Sequence, residues 1–265
     1  MEDTFAYTLD PRRFVVCGID EAGRGPLMGD VVAACVWLSH DHMIAGLNDS
    51  KKLSEYKREQ LAVTIKEQAL AFGIGRASPE EIDHYNILNA TYLAMERAFD
   101  AMQEMRKQKA AAAQEGLLPV DLVLIDGNKI PPQFIERALN CEYVIKGDAR
   151  VNEIAAASIL AKTTRDADLL ALDQLYPDYG FAKHKGYPTP AHLKILQDKE
   201  ILPCYRKSFG PIRELVRQRT GQDPLPLYEG STYYTRKAKA AHKQQEAEDE
   251  AGVTQGSLFA GLDDF

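Results

Sequence analysis

The sequence predicts a single α/β domain. Short apolar, β-branched runs come early, stretches with helical spacing are interleaved later, and no internal repeat is present. A chain of 265 residues that is 45% hydrophobic and 27% charged can bury a sizeable core without disulfides or metal staples.

Each element has its own signal. Phe14 to Ile19 and Val31 to Leu38 are apolar runs separated by a Gly/Pro-rich turn, predicting two tightly joined strands. Ser54 to Ala69 carries apolar residues at helical spacing with Ser54 as the N-cap. Leu70 to Ala77 predicts a third strand. Pro79 opens a short helix, and a longer one spans Asn86 to Lys107, with Ala110 to Gly116 as a low-complexity connector. Leu122 to Ile125 and Tyr143 to Ile145 predict two further strands, and helices follow over about Asn152 to Leu175 and Pro190 to Lys199. The α/β domain is expected to span residues 1–218. Residues 219–265, turn-rich and then polar, bury too little apolar surface to offset ordering and read as a mobile tail.

Composition narrows the class. No apolar run reaches the ~18 residues that span a bilayer. The start of the chain, with Glu2 and Asp3, lacks the basic and apolar segments of a signal peptide. Cys17, Cys35, Cys141 and Cys204 are widely separated, and three of them sit in apolar runs, so buried thiols in a cytoplasmic setting are expected rather than zinc ligands or disulfides. The net charge of −7 is concentrated in the tail: Gln244 to Phe265 holds six acidic and no basic residues, leaving −1 over the other 243. Charge therefore neither excludes nor requires a polyanionic partner.

Three apolar runs lead to an aspartate: VVCGID at Asp20, LVLID at Asp126 and VIKGD at Asp148, with Glu21 directly after the first. An aspartate after a strand is also an ordinary turn residue. Three of them on neighbouring strands about 4.8 Å apart, however, make carboxylates that converge and repel unless a positive charge sits among them. Hard oxygen ligands select Mg²⁺ or Mn²⁺, the ions that act in pairs in phosphodiester hydrolysis. Because successive strand residues face opposite sides, the chain is expected to leave extended geometry at Glu21. The loop that follows, GRGPLMG, is neither a Walker A loop nor a Rossmann fingerprint, since no Gly-Lys-Ser/Thr ends it and Met28 stands where the third glycine would be.

The blocks GIDEAGRGPLMGDVVAA, LNDSKKLS, IDGN, KGDARVNEIAAASILAKTTRD and YGFAKHKGY resemble, in order, those of the ribonuclease HII family. The resemblance covers residues 14 to about 212. It implies a ribonuclease H-like mixed sheet flanked by helices, with a helical C-terminal part. It also implies a two-metal site on Asp20, Glu21, Asp126 and Asp148. By the same resemblance Gly23, Arg24 and Gly25 read the ribose 2′-OH, the group that separates RNA from DNA, and Tyr187 stacks on the deoxyribose that follows. The implied activity is hydrolysis of the RNA strand of RNA–DNA hybrids and cleavage 5′ of single ribonucleotides embedded in duplex DNA, leaving 3′-hydroxyl and 5′-phosphate ends. Lys51, Lys52, Lys146, Lys183 and Lys185 lie in the same blocks as phosphate contacts or as solvated surface lysines.

At the far end, Gln255, Ser257, Leu258 and Phe259 resemble the peptide by which bacterial proteins bind the DNA sliding clamp, with Gly256 departing from it. No oligomerisation signal stands out, so a monomer is expected. Two rivals are a DNA-only nuclease, resolvase or integrase of the same fold, which needs no 2′-OH reader, and a non-catalytic hybrid-binding protein, which needs no converging carboxylates.

Overall fold

A computed structural model describes residues 5–225. Five strands form one mixed sheet: β1 (Val16–Ala22), β2 (Val31–Trp37), β3 (Ala71–Ala77), β4 (Leu122–Asp126) and β5 (Cys141–Val144), in the order β3-β2-β1-β4-β5. β1 pairs antiparallel with β2 and β2 with β3, while β1–β4 and β4–β5 are parallel. The two parallel pairs bring the carboxyl ends of β1, β4 and β5 to one edge.

The described residues form seven helices: α1 (Glu55–Gln68), α2 (Pro79–Ala113), α3 (Pro132–Glu136), α4 (Asn152–Leu175), α5 (Phe181–His184), α6 (Pro190–Asp198) and α7 (Gly210–Thr220). Strand alternation sorts the sheet's two faces. Cys17, Ile19, Val31, Ala33 and Cys35 pack with Ala94, Met95, Ala98 and Phe99 of α2. Ala34 and Val36 face Leu61 and Ile65 of α1 and the alanine run of α4. A third cluster joins Leu27 and Met28 to the C-terminal segments through Phe181, Leu196, Tyr205 and Ile212.

Local chemistry sets the helix ends. Ser54 caps α1 by accepting the Lys57 amide, and Ser78 with Glu81 forms a reciprocal capping box at the start of α2. The expected division of this region into a short and a long helix is visible as a break at Asn86 (φ 69°). There the Asn86 side chain accepts the Leu88 and Asn89 amides and restarts the helix. The alanines expected as a connector instead extend α2 to Ala113, because alanine is the best helix former. α2 then stops at left-handed Gln114. None of the described helices is long and apolar enough to cross a membrane.

Candidate active site

β1 and β4 run side by side with Ile19 opposite Ile125, so Asp20 and Asp126 are the next residues of adjacent strands. Val16, Leu122 and Leu124, their even-numbered neighbours, pack with Ile154 of α4, which assigns both aspartates to the α4 face. α4 lies very close to β1 there: a Cβ on Gly18 would stand 2.5 Å from the Glu153 carbonyl carbon and the Ile154 nitrogen. That approach brings Ser158 of α4 to hydrogen-bonding distance of Asp20, which is only 5% exposed and also accepts the Glu21 amide at 2.7 Å.

The expectation that the chain abandons extended geometry at Glu21 is not met. β1 continues through Ala22, with Glu21 paired opposite Ala33 of β2. Asp20 and Glu21 therefore do alternate between faces. They still share a site because the β1–β4 pairing stops at Ile19 and Ile125, leaving the end of β1 open on that side. Glu21 lies on the border, lining both a cavity of about 280 Å³ with Lys51 and Ser158 and one of about 320 Å³ with Asp126 and Asn128. Its carboxylate is 3.3 Å from the Arg24 guanidinium.

Asp148 is not at a strand end. β5 stops at Val144, Lys146 turns left-handed (φ 56°), and Asp148 sits in a 3₁₀ turn over Gly147–Ala149 leading into α4. That turn delivers the Gly147 amide to Asp126 at 2.7 Å. Burial raises the pKa of all four carboxyls. Asp20 is pushed further by Glu21 and Asp126; on Glu21 burial prevails over the opposing Arg24 charge, with Asp126 adding to the rise. Asp148 is pushed further by Asp126 and Asp49; in Asp126 burial outweighs the amide hydrogen bonds that oppose it. Lys51 is a cation near them. Burial alone would lower its pKa, but Asp148, Asp20, Asp49 and Asp126 outweigh it and hold the ammonium above the usual lysine value. As they stand, no three His, Cys, Asp or Glu side chains among the described residues are arranged to hold a metal ion. The donor set nevertheless suits a hard cation, since its oxygens are crowded and partly buried with Lys51 and Arg24 as the positive charges acting on them.

Beyond Ala22 the chain turns through Gly23, whose φ of 96° favours glycine and whose Cβ would fall 2.2 Å from the Arg165 Nε. Gly23, Arg24 and Gly25 line the first cavity together with Lys51, Lys162, Arg165 and Tyr187. Tyr187, 47% exposed, stands over Gly25, where a Cβ would be 3.3 Å from its ring. The Tyr187 carbonyl is 2.9 Å from Nδ1 of buried His192, whose Nε2 is 2.8 Å from the Tyr205 hydroxyl. Burial lowers the His192 pKa to about 4. The neutral ring thus donates from Nδ1 and accepts at Nε2, so its role is structural.

Of the other lysines, Lys185 pairs with Glu55 at 3.2 Å. Lys52, Lys146 and Lys183 are exposed and line neither cavity. The sequence alone does not mark Asp49, Lys162, Arg165 or Arg206. Asp49 caps the Ser50–Lys52 turn by accepting the Lys51 amide. Ser158, Lys162 and Arg165 recur at i, i+4 and i+7 along α4, a helical stripe that periodicity alone reveals once Ser158 is placed at the site. Arg206 is fully buried beneath the loop after β1 and carries no spacing signal.

A mixed sheet of this order, flanked by helices and bearing acidic side chains where its central strands end, defines a nuclease of the ribonuclease H-like class. The family model described as Ribonuclease HII matches residues 17–211. Ribonuclease HII of Colwellia psychrerythraea is 47% identical over 214 residues, 78% of this chain and 92% of the relative. Solved structures similar to this chain include ribonuclease H2 of Pyrococcus horikoshii, 26% identical with a TM-score of 0.57 over 77% of this chain and 97% of the other, and RNase HII of Archaeoglobus fulgidus in complex with PCNA, 27% identical with a TM-score of 0.56 over 76% and 96%. The chain belongs to the ribonuclease HII family and is an endonuclease degrading the RNA of RNA–DNA hybrids.

Proposed function

We propose that this enzyme also cuts duplex DNA on the 5′ side of a single embedded ribonucleotide, leaving 3′-hydroxyl and 5′-phosphate ends. One observation carries the reading: the cavity beside the carboxylates has the Gly23–Gly25 backbone and the Tyr187 ring among its walls, a setting for one sugar. Gly23, Arg24 and Gly25 would take the 2′-OH, and Tyr187 would stack on the next deoxyribose. Asp20, Glu21, Asp126 and Asp148 would hold two divalent ions, Mg²⁺ or Mn²⁺, after Glu21 exchanges its contact with Arg24. Such ions supply the charge that activates water and stabilises the leaving oxygen in phosphodiester hydrolysis. Lys51, Lys52, Lys146, Lys183 and Lys185 would contact phosphates, a positioning role that carries no sequence information.

The C-terminal residues Gln255, Leu258 and Phe259 lie outside the described residues. Their likeness to the clamp-binding peptide, and the Archaeoglobus relative's assembly with PCNA, support a sliding clamp as partner. The four free cysteines fit a reducing, cytoplasmic setting.

The test is a duplex carrying one ribonucleotide, incubated with and without Mg²⁺ beside an all-DNA control and a full RNA–DNA hybrid. The expected result is one Mg²⁺-dependent cut 5′ of the ribonucleotide and none in the control. Tyr187→Ala, which removes a stacking surface of the kind worth about 1–3 kcal/mol, should slow that cut at least tenfold. Cleavage of the hybrid with none at the single ribonucleotide would overturn the reading.

A further inference from the structure

The loop between β1 and β2 is built around one side chain that the reaction does not use directly. Arg206 is fully buried, and all five donors of a guanidinium go to main-chain carbonyls of that loop. Nε donates to Gly29 at 2.9 Å. Nη1 donates to Arg24 at 3.1 Å and Pro26 at 2.7 Å. Nη2 donates to Gly23 at 2.6 Å and Asp30 at 3.1 Å. The Arg206 amide adds a bond to Leu27 at 2.9 Å. Among the described residues no carboxylate lies within ion-pair distance of it, so this is a bracket for carbonyls rather than a salt bridge.

The geometry has a direct consequence for the loop's outer side. In a trans peptide the C=O and N–H point in opposite directions. With the Gly23 and Arg24 carbonyls turned in to Arg206, the Arg24 and Gly25 amides must point away from it. Both residues line the cavity beside the carboxylates, and neither amide has a protein acceptor among the described residues. We propose that Arg206 is the positioning residue for ribose recognition: it fixes the loop with its carbonyls inward and its Arg24 and Gly25 amides outward as donors to the substrate. The proposal rests on the reading that this loop contacts the ribose. The bracket is itself anchored by Asp83, which accepts the Lys207 and Ser208 amides at 2.9 and 2.8 Å.

Arg206→Lys keeps the charge but loses the planar fork, so it cannot span five carbonyls. Asp83→Ala loosens the bracket and leaves the guanidinium in place. For wild type and both variants, the measurements are kcat and KM on the single-ribonucleotide duplex and the Ki of an all-DNA duplex of the same sequence as competitor. Arg206→Lys should raise KM at least tenfold with Ki changed less than twofold, and Asp83→Ala should move KM in the same direction by less. A folded Arg206→Lys with unchanged KM, whatever its kcat or Tm, overturns the proposal. If Arg206→Lys does not fold, an unchanged KM in Asp83→Ala overturns it equally. A wild type whose KM equals its Ki instead removes the ribose-reading role of the loop itself.

Discussion

Asp20 sits where its own charge is least welcome: buried, with the charges of Glu21 and Asp126 near it and Ser158 and the Glu21 amide in support. Its pKa is raised on folding, as are those of Glu21, Asp126 and Asp148, so the folded chain holds these protons more tightly than the unfolded one. Their contribution to stability is present at low pH and is lost as pH rises above the ordinary carboxylate range, about 3.9 for aspartate. In a chelator at pH 8, Asp20→Asn should therefore be more stable than wild type, with the gap narrowing toward pH 5. For a chain of this size each kcal/mol of relieved repulsion moves Tm by about 2–4 °C. Thermal unfolding at the two pH values checks it, and a variant that melts lower at pH 8 would contradict it. Asp126→Asn, which removes charge but little bulk, should cut the rate at least a hundredfold, on the order of a lost electrostatic stabiliser, with substrate binding kept. The aspartates were legible because an apolar run ending in Asp is visible in one dimension. The expectation at Glu21 fails because alternation holds through the paired strand, while the open end of β1 allows two faces to share a site. Arg206 was not legible at all, since its acceptors are carbonyls, which every sequence has.

The five strands and the helices α1, α2, α4 and α6 followed hydrophobic period, whereas α3, α5 and α7 were not anticipated; the shifts in element bounds have local causes. α2 outran its predicted end because alanines propagate a helix whatever their burial. β5 starts two residues before its apolar run and ends one residue before that run does, since Lys146 turns left-handed and Ile145 is left exposed outside the strand. The contact between β1 and α4 depends on Gly18, where any side chain meets helix backbone that cannot rotate away. Gly18→Ala should destabilise by about 1–3 kcal/mol, as overpacking does, measured by urea unfolding. Because it also lifts Ser158 from Asp20, the folded fraction should need more Mg²⁺ for half-maximal cleavage. An alanine variant of unchanged stability would show that α4 is less tightly seated than the geometry implies.

The acidic end of the chain and the catalytic domain make separate demands. Truncation before Gln255, or Leu258→Ala with Phe259→Ala, should leave cleavage of short duplexes within twofold of wild type. The same changes should abolish binding to a purified bacterial sliding clamp, an interaction of micromolar strength or weaker, on the order of −8 kcal/mol. Equal clamp binding by wild type and double variant would remove that role from the tail.

The Arg206 bracket also sets an order of events during synthesis. Its acceptors begin at Gly23, yet Asp30 and Arg206 are 176 positions apart. A ribosome adding about 5–20 residues per second needs roughly 10–40 s to cover that distance. Through that interval the sheet's first hairpin can form while the loop beside it has no guanidinium to close on. The nascent nuclease is thus born without its finished substrate loop and completes it only when nearly the whole domain has been made.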